Sequence, residues 1–102
     1  MPKLMVMYPQ PTDAAVFDKR YAGEHLPMAD KLLTRVSKVT ISKGLATPGA
    51  DVPAFHTIAT VEFPSMEDLQ ADLGSEGGQA VAAHAFEIST GGPPVMLICE
   101  DQ

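Results

Sequence analysis

The chain has 102 residues, a formal net charge of −6 and a 45% hydrophobic content, which together predict one folded domain spanning residues 1–102. The acidic balance excludes the basic surface that sequence-independent nucleic-acid binding requires, and the seven scattered Lys and Arg residues form no polybasic membrane patch. No apolar run approaches the roughly 20 residues that span a bilayer.

The chain has the pattern of alternating strands and helices. Runs rich in Val, Ile and Thr predict the strands, and apolar residues spaced three or four apart predict the helices. Capping residues precede two helices, with Thr12 or Asp13 before the first and Ser65 before a later one. In order, the predicted elements are a strand at 4–8, helical segments at 14–24 and 27–35, strands at 36–45 and 54–63, helical segments at 66–73 and 79–86, and a strand at 95–99. Glycines at 74, 77 and 78 interrupt the last two helical segments and leave open that 75–89 is a loop.

The faces of two strands follow from their composition. The strand at 4–8 is nearly all apolar, which predicts that it is covered on both faces. The strand at 54–63 alternates, so we expect His56 to share a face with Ile58 and Glu62. We interpret His56 and Glu62 as solvated edge positions rather than as an acid–base pair.

The order β-α-β-β-α-β predicts an α+β, ferredoxin-like fold. Right-handed crossovers place both helices on one face of a four-stranded antiparallel sheet. The other face would then expose Met5, Met7, Val95 and Leu97, and monomeric proteins rarely leave so much contiguous apolar surface uncovered. We therefore expect a homodimer in which two sheets pack face to face and form a barrel between the protomers.

The segment Tyr21–Pro27 is the place in the sequence where chemistry is easiest to envisage. Pro27 lacks a backbone N–H and restricts Leu26 before it, so we expect the helix to break at His25 and to restart at Pro27. Phe17, Tyr21 and His25 are spaced i, i+4 and i+8, which places a titratable imidazole on the apolar face of the helix. The alternative is a core or interface histidine that is satisfied by a carbonyl group.

Other motifs give little support for a metal or a cofactor. His25, His56 and His84 lack the spacing typical of metal ligands, and no Gly-rich phosphate loop or serine-nucleophile motif is present. Cys99, the single cysteine, cannot form an internal disulfide and is expected to be a small buried hydrophobe. We expect no metal and no cofactor, and a cytoplasmic location, because the N-terminus lacks a signal-peptide pattern.

The motif Tyr21-x-x-x-His25-x-Pro27, with the first strand Val6-Met7-Tyr8-Pro9 and the later Pro94-Val95-Met96, resembles the EthD family. That family comprises small dimeric α+β-barrel proteins with a ferredoxin-like protomer. The segment 83–90 departs from the acidic residue and N-[FY]-T-like turn found in many members. The resemblance therefore assigns His25 no acid partner in this region.

The resemblance implies a pocket between sheet and helices and gives candidate roles. His25 would be a general base, or a hydrogen-bond donor, toward a small, mostly apolar, oxygenated molecule. Tyr8 and Tyr21 would orient that ligand through a phenol group. Phe17 and Met28 are further candidate substrate-binding residues, because they supply apolar neighbours that would lower the pKa of His25 by desolvation.

Two functions remain open. The first is an enzyme acting on a phenolic or ketonic substrate, with cofactor-free monooxygenase-like or dehydratase- or cyclase-like activity and His25 as base. The second is a non-catalytic small-ligand binder, or an accessory protein of an oxidative degradation pathway. Both use the same pocket, and the sequence does not name the ligand.

Overall fold

The structure, a computed structural model, describes residues 1–102. In chain order its elements are β1 (Pro2–Pro9), α1 (Ala14–Arg20), a π-helical turn (Tyr21–His25), α2 (Leu26–Leu32), β2 (Lys38–Lys43), β3 (Phe55–Glu62), α3 (Met66–Gly74), α4 (Glu76–Ile88) and β4 (Val95–Glu100). The strands form one antiparallel sheet in the order β2-β3-β1-β4. The predicted α+β, ferredoxin-like fold is confirmed. No helix is both long enough and apolar enough to cross a membrane.

The core lies between the helices and one face of the sheet. Along β1, Leu4, Val6 and Tyr8 are buried, whereas Met5 and Met7 on the opposite face are only partly covered. Within one chain, therefore, β1 is covered on one face and not on both as predicted. The buried core cluster joins that face to residues from the helices and consists of Leu4, Val6, Tyr8, Phe17, Tyr21, Ala59, Val61, Phe63, Leu69, Ala85 and Ile88.

The predicted helix break at His25 is wrong, because the chain passes from α1 to α2 through a π-helical turn. The Leu26 N–H donates to the carbonyl of Tyr21, five residues back, and Leu26 itself is helical at φ −62° and ψ −44°. The wider turn accommodates Pro27 near the start of α2, so its missing N–H does not interrupt the helix. The second helix ends at Leu32, earlier than the predicted end at residue 35.

The glycines at 77 and 78 lie inside a helix and not in a loop. Ser75 caps α4 by accepting a hydrogen bond from the Gly78 N–H at 2.9 Å. A Cβ at position 78 would lie 1.9 Å from the carbonyl oxygen of Asp72 at the end of α3. Glycine is therefore needed for the close approach of the two helices, and α4 begins three residues before the predicted start at 79.

A bulge near the start of β3 changes the face on which His56 lies. Tyr8 pairs with Thr57 and Pro9 pairs with Phe55, so His56 is an extra residue in the ladder. His56 is buried against α1, with its Nε2 2.7 Å from the Asp18 carboxylate. The prediction that His56 shares the face of Ile58 at a solvated edge is therefore wrong, because strict alternation does not survive a bulge.

Candidate functional site

Three rings form a column along α1 and the π-helical turn. Phe17 stacks on Tyr21 with a centroid distance of 5.5 Å, and Tyr21 stacks on His25 with a centroid distance of 5.4 Å. Both ring pairs lie within 17° of parallel. All three side chains are buried, so the helix carries an imidazole into the protein interior. Such π-helical turns are rare and frequently occur at functional sites.

His25 and Tyr8 meet on the wall of a cavity between the sheet and the helices. The Tyr8 hydroxyl lies 3.4 Å from His25 Nε2. The cavity has a volume of about 160 Å³, and nine of its eleven lining residues are hydrophobic. Its lining residues are Leu4, Val6, Tyr8, His25, Leu33, Leu73, Gly78, Val81, Ala82, Ala85 and Met96. A smaller lobe of about 70 Å³ shares Tyr8 and His25 and extends toward β2.

The surroundings hold both polar groups of the cavity in their neutral forms. Burial lowers the pKa of His25 from 6.5 to about 4, and the nearby His84 makes the second largest contribution. Burial raises the pKa of the Tyr8 phenol, and burial also raises the pKa of Tyr21 to about 12. At neutral pH the cavity therefore presents an uncharged imidazole beside a protonated phenol.

A chain of polar contacts leads from His25 to the protein surface. His25 Nδ1 lies 2.9 Å from His84 Nδ1, and the planes of the two rings are 9° from parallel. His84 Nε2 lies 3.3 Å from Glu24 Oε1 and 3.9 Å from Glu87 Oε2. Arg20 Nη2 donates to both carboxylates, at 3.1 Å to Glu24 and 2.7 Å to Glu87. The hydrogen bond from Arg20, and to a smaller extent the one from His84, holds the pKa of Glu24 below its usual range.

The structure brings some of the sequence-predicted site residues together and leaves others outside. Tyr8 and His25 line both lobes of the cavity, and Tyr21 lines the smaller lobe. Phe17 supports the ring column but lines neither lobe, and Met28 also lies outside their lining. Contact of Phe17 or Met28 with a ligand has no support in this geometry.

Sequence reasoning missed His84, Glu24 and Glu87. The segment 83–90 carries a histidine and a glutamate three residues apart, which share one side of a helix. That spacing was the available signal, but its relation to His25 depends on where α4 packs. We expected no acid partner for His25 from this region, and its direct partner there is the imidazole of His84.

The third histidine lies apart from this chain of contacts. His56 bonds Asp18 and presents its ring edge to Phe17 at a centroid distance of 5.4 Å. It lines an open groove beside β2 together with Lys43 and Thr57. No group of three or more His, Cys, Asp or Glu side chains is arranged to hold a metal ion.

These features define a small ferredoxin-like α+β protein with a buried histidine on the wall of an apolar cavity. Residues 9–87 match the family model described as the EthD domain, and the chain belongs to the EthD family. The match covers the first helices, the π-helical turn and most of α4.

Solved and curated proteins resemble this chain over nearly its whole length. An EthD family protein from Bacillus halodurans is 24% identical with a TM-score of 0.89, over 100% of this chain and 99% of that one. An EthD-like protein from Ralstonia eutropha is 27% identical with a TM-score of 0.74, over 97% of this chain and 89% of that one. An uncharacterized 11.0 kDa protein from the thcB–thcC intergenic region of Rhodococcus erythropolis is 25% identical, over 99% and 96% of the two chains.

Proposed function

We propose that this protein binds a small, mostly apolar, oxygenated molecule in the cavity and transforms it with His25 as a general base. The observation that carries the proposal is the 3.4 Å contact of His25 Nε2 with the Tyr8 hydroxyl. These are the two titratable side chains on the wall of a cavity that is otherwise lined by aliphatic residues and one glycine. A few convergent polar groups in an apolar pocket are typical of small-molecule sites.

The size of the cavity favours a ligand with a single ring. A dry apolar cavity of about 150 Å³ is known to admit benzene. The larger lobe, at about 160 Å³, is similar in size. A phenolic or ketonic oxygen on such a ring would find both an acceptor, His25 Nε2, and a donor, the Tyr8 O–H. We therefore propose phenols and small ketones as the ligand class.

The base role follows from the protonation states. A base must be unprotonated at working pH, and burial keeps His25 neutral. His25 Nε2 would take a proton from a phenolic O–H or from a carbon next to a ketone. The Tyr8 O–H would donate to the oxygen on which negative charge develops, as preorganised donors do in other enzymes.

The alternative function is a non-catalytic binder or an accessory protein of an oxidative degradation pathway. The same cavity would then hold the ligand without turnover. A protein without turnover needs no base, so the two functions differ in what the imidazole of His25 contributes. The free Cys99 is compatible with a cytoplasmic location for either function.

We also propose that the protein is a homodimer formed through the open face of the sheet. Val95 and Leu97 on this face are 46% and 52% exposed, and they pair with Met7 and Met5 of β1. A second copy packed against this face would cover these residues and supply the second layer that the apolar β1 lacks.

A thermal-shift screen of phenols and ketones tests the function. A ligand at about 100 times its Kd should stabilise the wild type by about 2.7 kcal/mol. The His25→Ala variant tests the contribution of the imidazole, and Lys43→Ala, at a residue that lines neither lobe of the cavity, is the matched control. The proposal requires that oxygenated ligands stabilise the wild type and the Lys43 variant alike. The absence of any stabilising phenol or ketone would contradict it.

A further inference from the structure

We propose that His84 is a positioning residue for His25: it fixes the tautomer that leaves Nε2 bare toward the cavity, and it receives the proton that His25 gains. The inference rests on the proposed function, in which His25 is the base. The tautomer of His25 is a property of the protein alone and is measurable without a ligand. The contacts that carry it run from the cavity to the surface through Tyr8, His25, His84, Glu24, Glu87 and Arg20.

The acidic end of this chain determines which nitrogen of His84 is protonated. Arg20 bonds both Glu24 and Glu87, and its hydrogen bond to Glu24 favours the ionised form of that carboxyl group. An ionised carboxylate only accepts hydrogen bonds. His84 Nε2, at 3.3 Å from Glu24 Oε1, must therefore carry a proton. A neutral imidazole has one N–H, so neutral His84 has a bare Nδ1.

The bare Nδ1 of His84 in turn determines the tautomer of His25. Two nitrogen lone pairs do not face each other at 2.9 Å without a proton between them. His25 Nδ1 is therefore the donor, and the neutral ring keeps its lone pair on Nε2. That lone pair points at the Tyr8 hydroxyl and into the cavity. This tautomer is assigned from the network of contacts.

The same contact gives the transferred proton a route out of the cavity. A proton leaves the ligand and binds His25 Nε2, which makes the ring an imidazolium and the ligand an anion. The proton on His25 Nδ1 then moves to His84 Nδ1. His25 is again neutral, now with Nε2–H, and His84 is an imidazolium facing Glu24 and Glu87. The positive charge has moved from the buried ring of His25 to the ring of His84, where two neighbouring carboxylates stabilise it.

Protonation of His84 from solvent reverses the tautomer of His25. Charged His84 donates from Nδ1, so His25 Nδ1 must be bare and His25 Nε2 must carry the proton. The cavity then presents a donor instead of a base. The titratable and charged groups that face the two rings are Tyr8 from β1, Arg20 from α1, Tyr21 and Glu24 from the π-helical turn, and Glu87 from α4.

Nitrogen-15 NMR of the histidine rings in the intact protein tests the inference. At pH about 8, His25 Nε2 should give the signal of a bare nitrogen and Nδ1 that of an N–H, and the two should exchange roles once acid protonates His84. In His84→Leu the buried Nδ1–H would lose its acceptor, so the proton should move to Nε2. His84→Asn restores an acceptor near the former Nδ1 but does not titrate, so it should restore the tautomer and abolish the pH change. His56→Gln assigns the third histidine.

Three results would overturn the inference. The first is a wild-type His25 with Nε2–H at pH about 8. The second is an unchanged tautomer in a folded His84→Leu variant. The third, which applies even if that variant does not fold, is identical pH behaviour in the wild type and in His84→Asn. A correct tautomer together with failure to bind phenols or ketones would instead overturn the proposed function and leave the inference intact.

Discussion

His25 and His84 are 59 residues apart in sequence, yet their Nδ1 atoms lie 2.9 Å apart and their rings are nearly parallel. The contact joins the π-helical turn to α4 on the cavity side of the fold. It links the polar group of an apolar cavity to the carboxylates at the surface.

Replacing His25 with Gln should separate turnover from binding. Gln fills similar space and offers hydrogen bonds but is no base, so turnover of a substrate should fall by about 10²- to 10⁴-fold. Affinity for the same ligand, measured by calorimetry, should change little. A variant that retains full turnover would exclude His25 as the base and would favour another group.

Replacing Tyr8 with Phe removes one hydroxyl from the cavity wall. The loss of one hydrogen bond should weaken the binding of a phenol or a ketone by about 1 kcal/mol, or about fivefold in Kd. An apolar ligand of the same size, such as toluene, should bind equally well to both proteins. Equal losses for phenol and toluene would show that the phenyl ring of Tyr8, and not its hydroxyl, governs binding.

The stability of the protein should fall in mild acid because of His25. The unfolded chain binds a proton at this residue below a pH near 6.5, whereas the folded protein does so only near 4. Between these values the unfolded state binds more protons, so stability decreases as pH falls through the window. After allowance for solvent screening, we expect a loss of about 2 kcal/mol by pH 4.

The control for this pH dependence is His25→Gln, which has no titrating ring at the position. Urea unfolding at several pH values gives the free energy of unfolding of both proteins. The stability of the variant should decline less than that of the wild type between pH 6.5 and 4. Parallel curves for the two proteins would contradict the lowered pKa of His25.

Two glycines near the junction of α3 and α4 should respond oppositely to alanine. At Gly78 a Cβ would meet the Asp72 carbonyl oxygen at 1.9 Å, whereas at Gly74 it would meet nothing within 4 Å. We expect Gly78→Ala to destabilise the protein by about 1–3 kcal/mol and Gly74→Ala to stabilise it by up to about 1 kcal/mol. Chemical denaturation measures both, and equal effects would contradict the helix packing.

The open sheet face should be the contact between protomers. Leu97 and Ile98 are neighbours on β4, about equally exposed at 52% and 49%, and they lie on opposite faces. Leu97→Asp should dissociate the dimer, because a buried unpaired charge is costly, whereas Ile98→Asp should not. Sedimentation at micromolar concentration distinguishes the monomer from the dimer. A monomeric wild type, or dissociation by both variants alike, would contradict an interface on this face.

The sequence was sufficient for the order of the elements and for the side of the helix on which His25 lies. Both follow from local signals: runs rich in Val, Ile and Thr mark the strands, and the i, i+4, i+8 spacing of Phe17, Tyr21 and His25 marks one side of the helix. The π-helical turn was missed because a proline two residues after His25 is compatible with either a break or a widened turn. Tertiary packing selects between the two.

Other features depend on contacts distant in sequence. The bulge at His56 is a property of how β3 pairs with β1, so the residue pattern of β3 alone does not reveal it. In the sequence Gly78 resembles a helix breaker. The structure shows that glycine is needed there because the Asp72 carbonyl packs against it. His84 meets His25 only because α4 packs beside the π-helical turn. Of these features, Gly78 lines the cavity and His84 contacts His25, so both belong to the candidate site.

The most direct test of a phenol- or ketone-binding site at His25 is the response of its Nε2 signal to phenol in nitrogen-15 NMR. Toluene is the matched apolar control, and the ring of His56 is the internal reference. We predict that phenol shifts His25 Nε2 in a saturable manner, that toluene shifts it far less, and that His56 does not respond. Saturating binding of phenol that leaves His25 Nε2 unmoved, or no binding of phenol at all, would contradict the account.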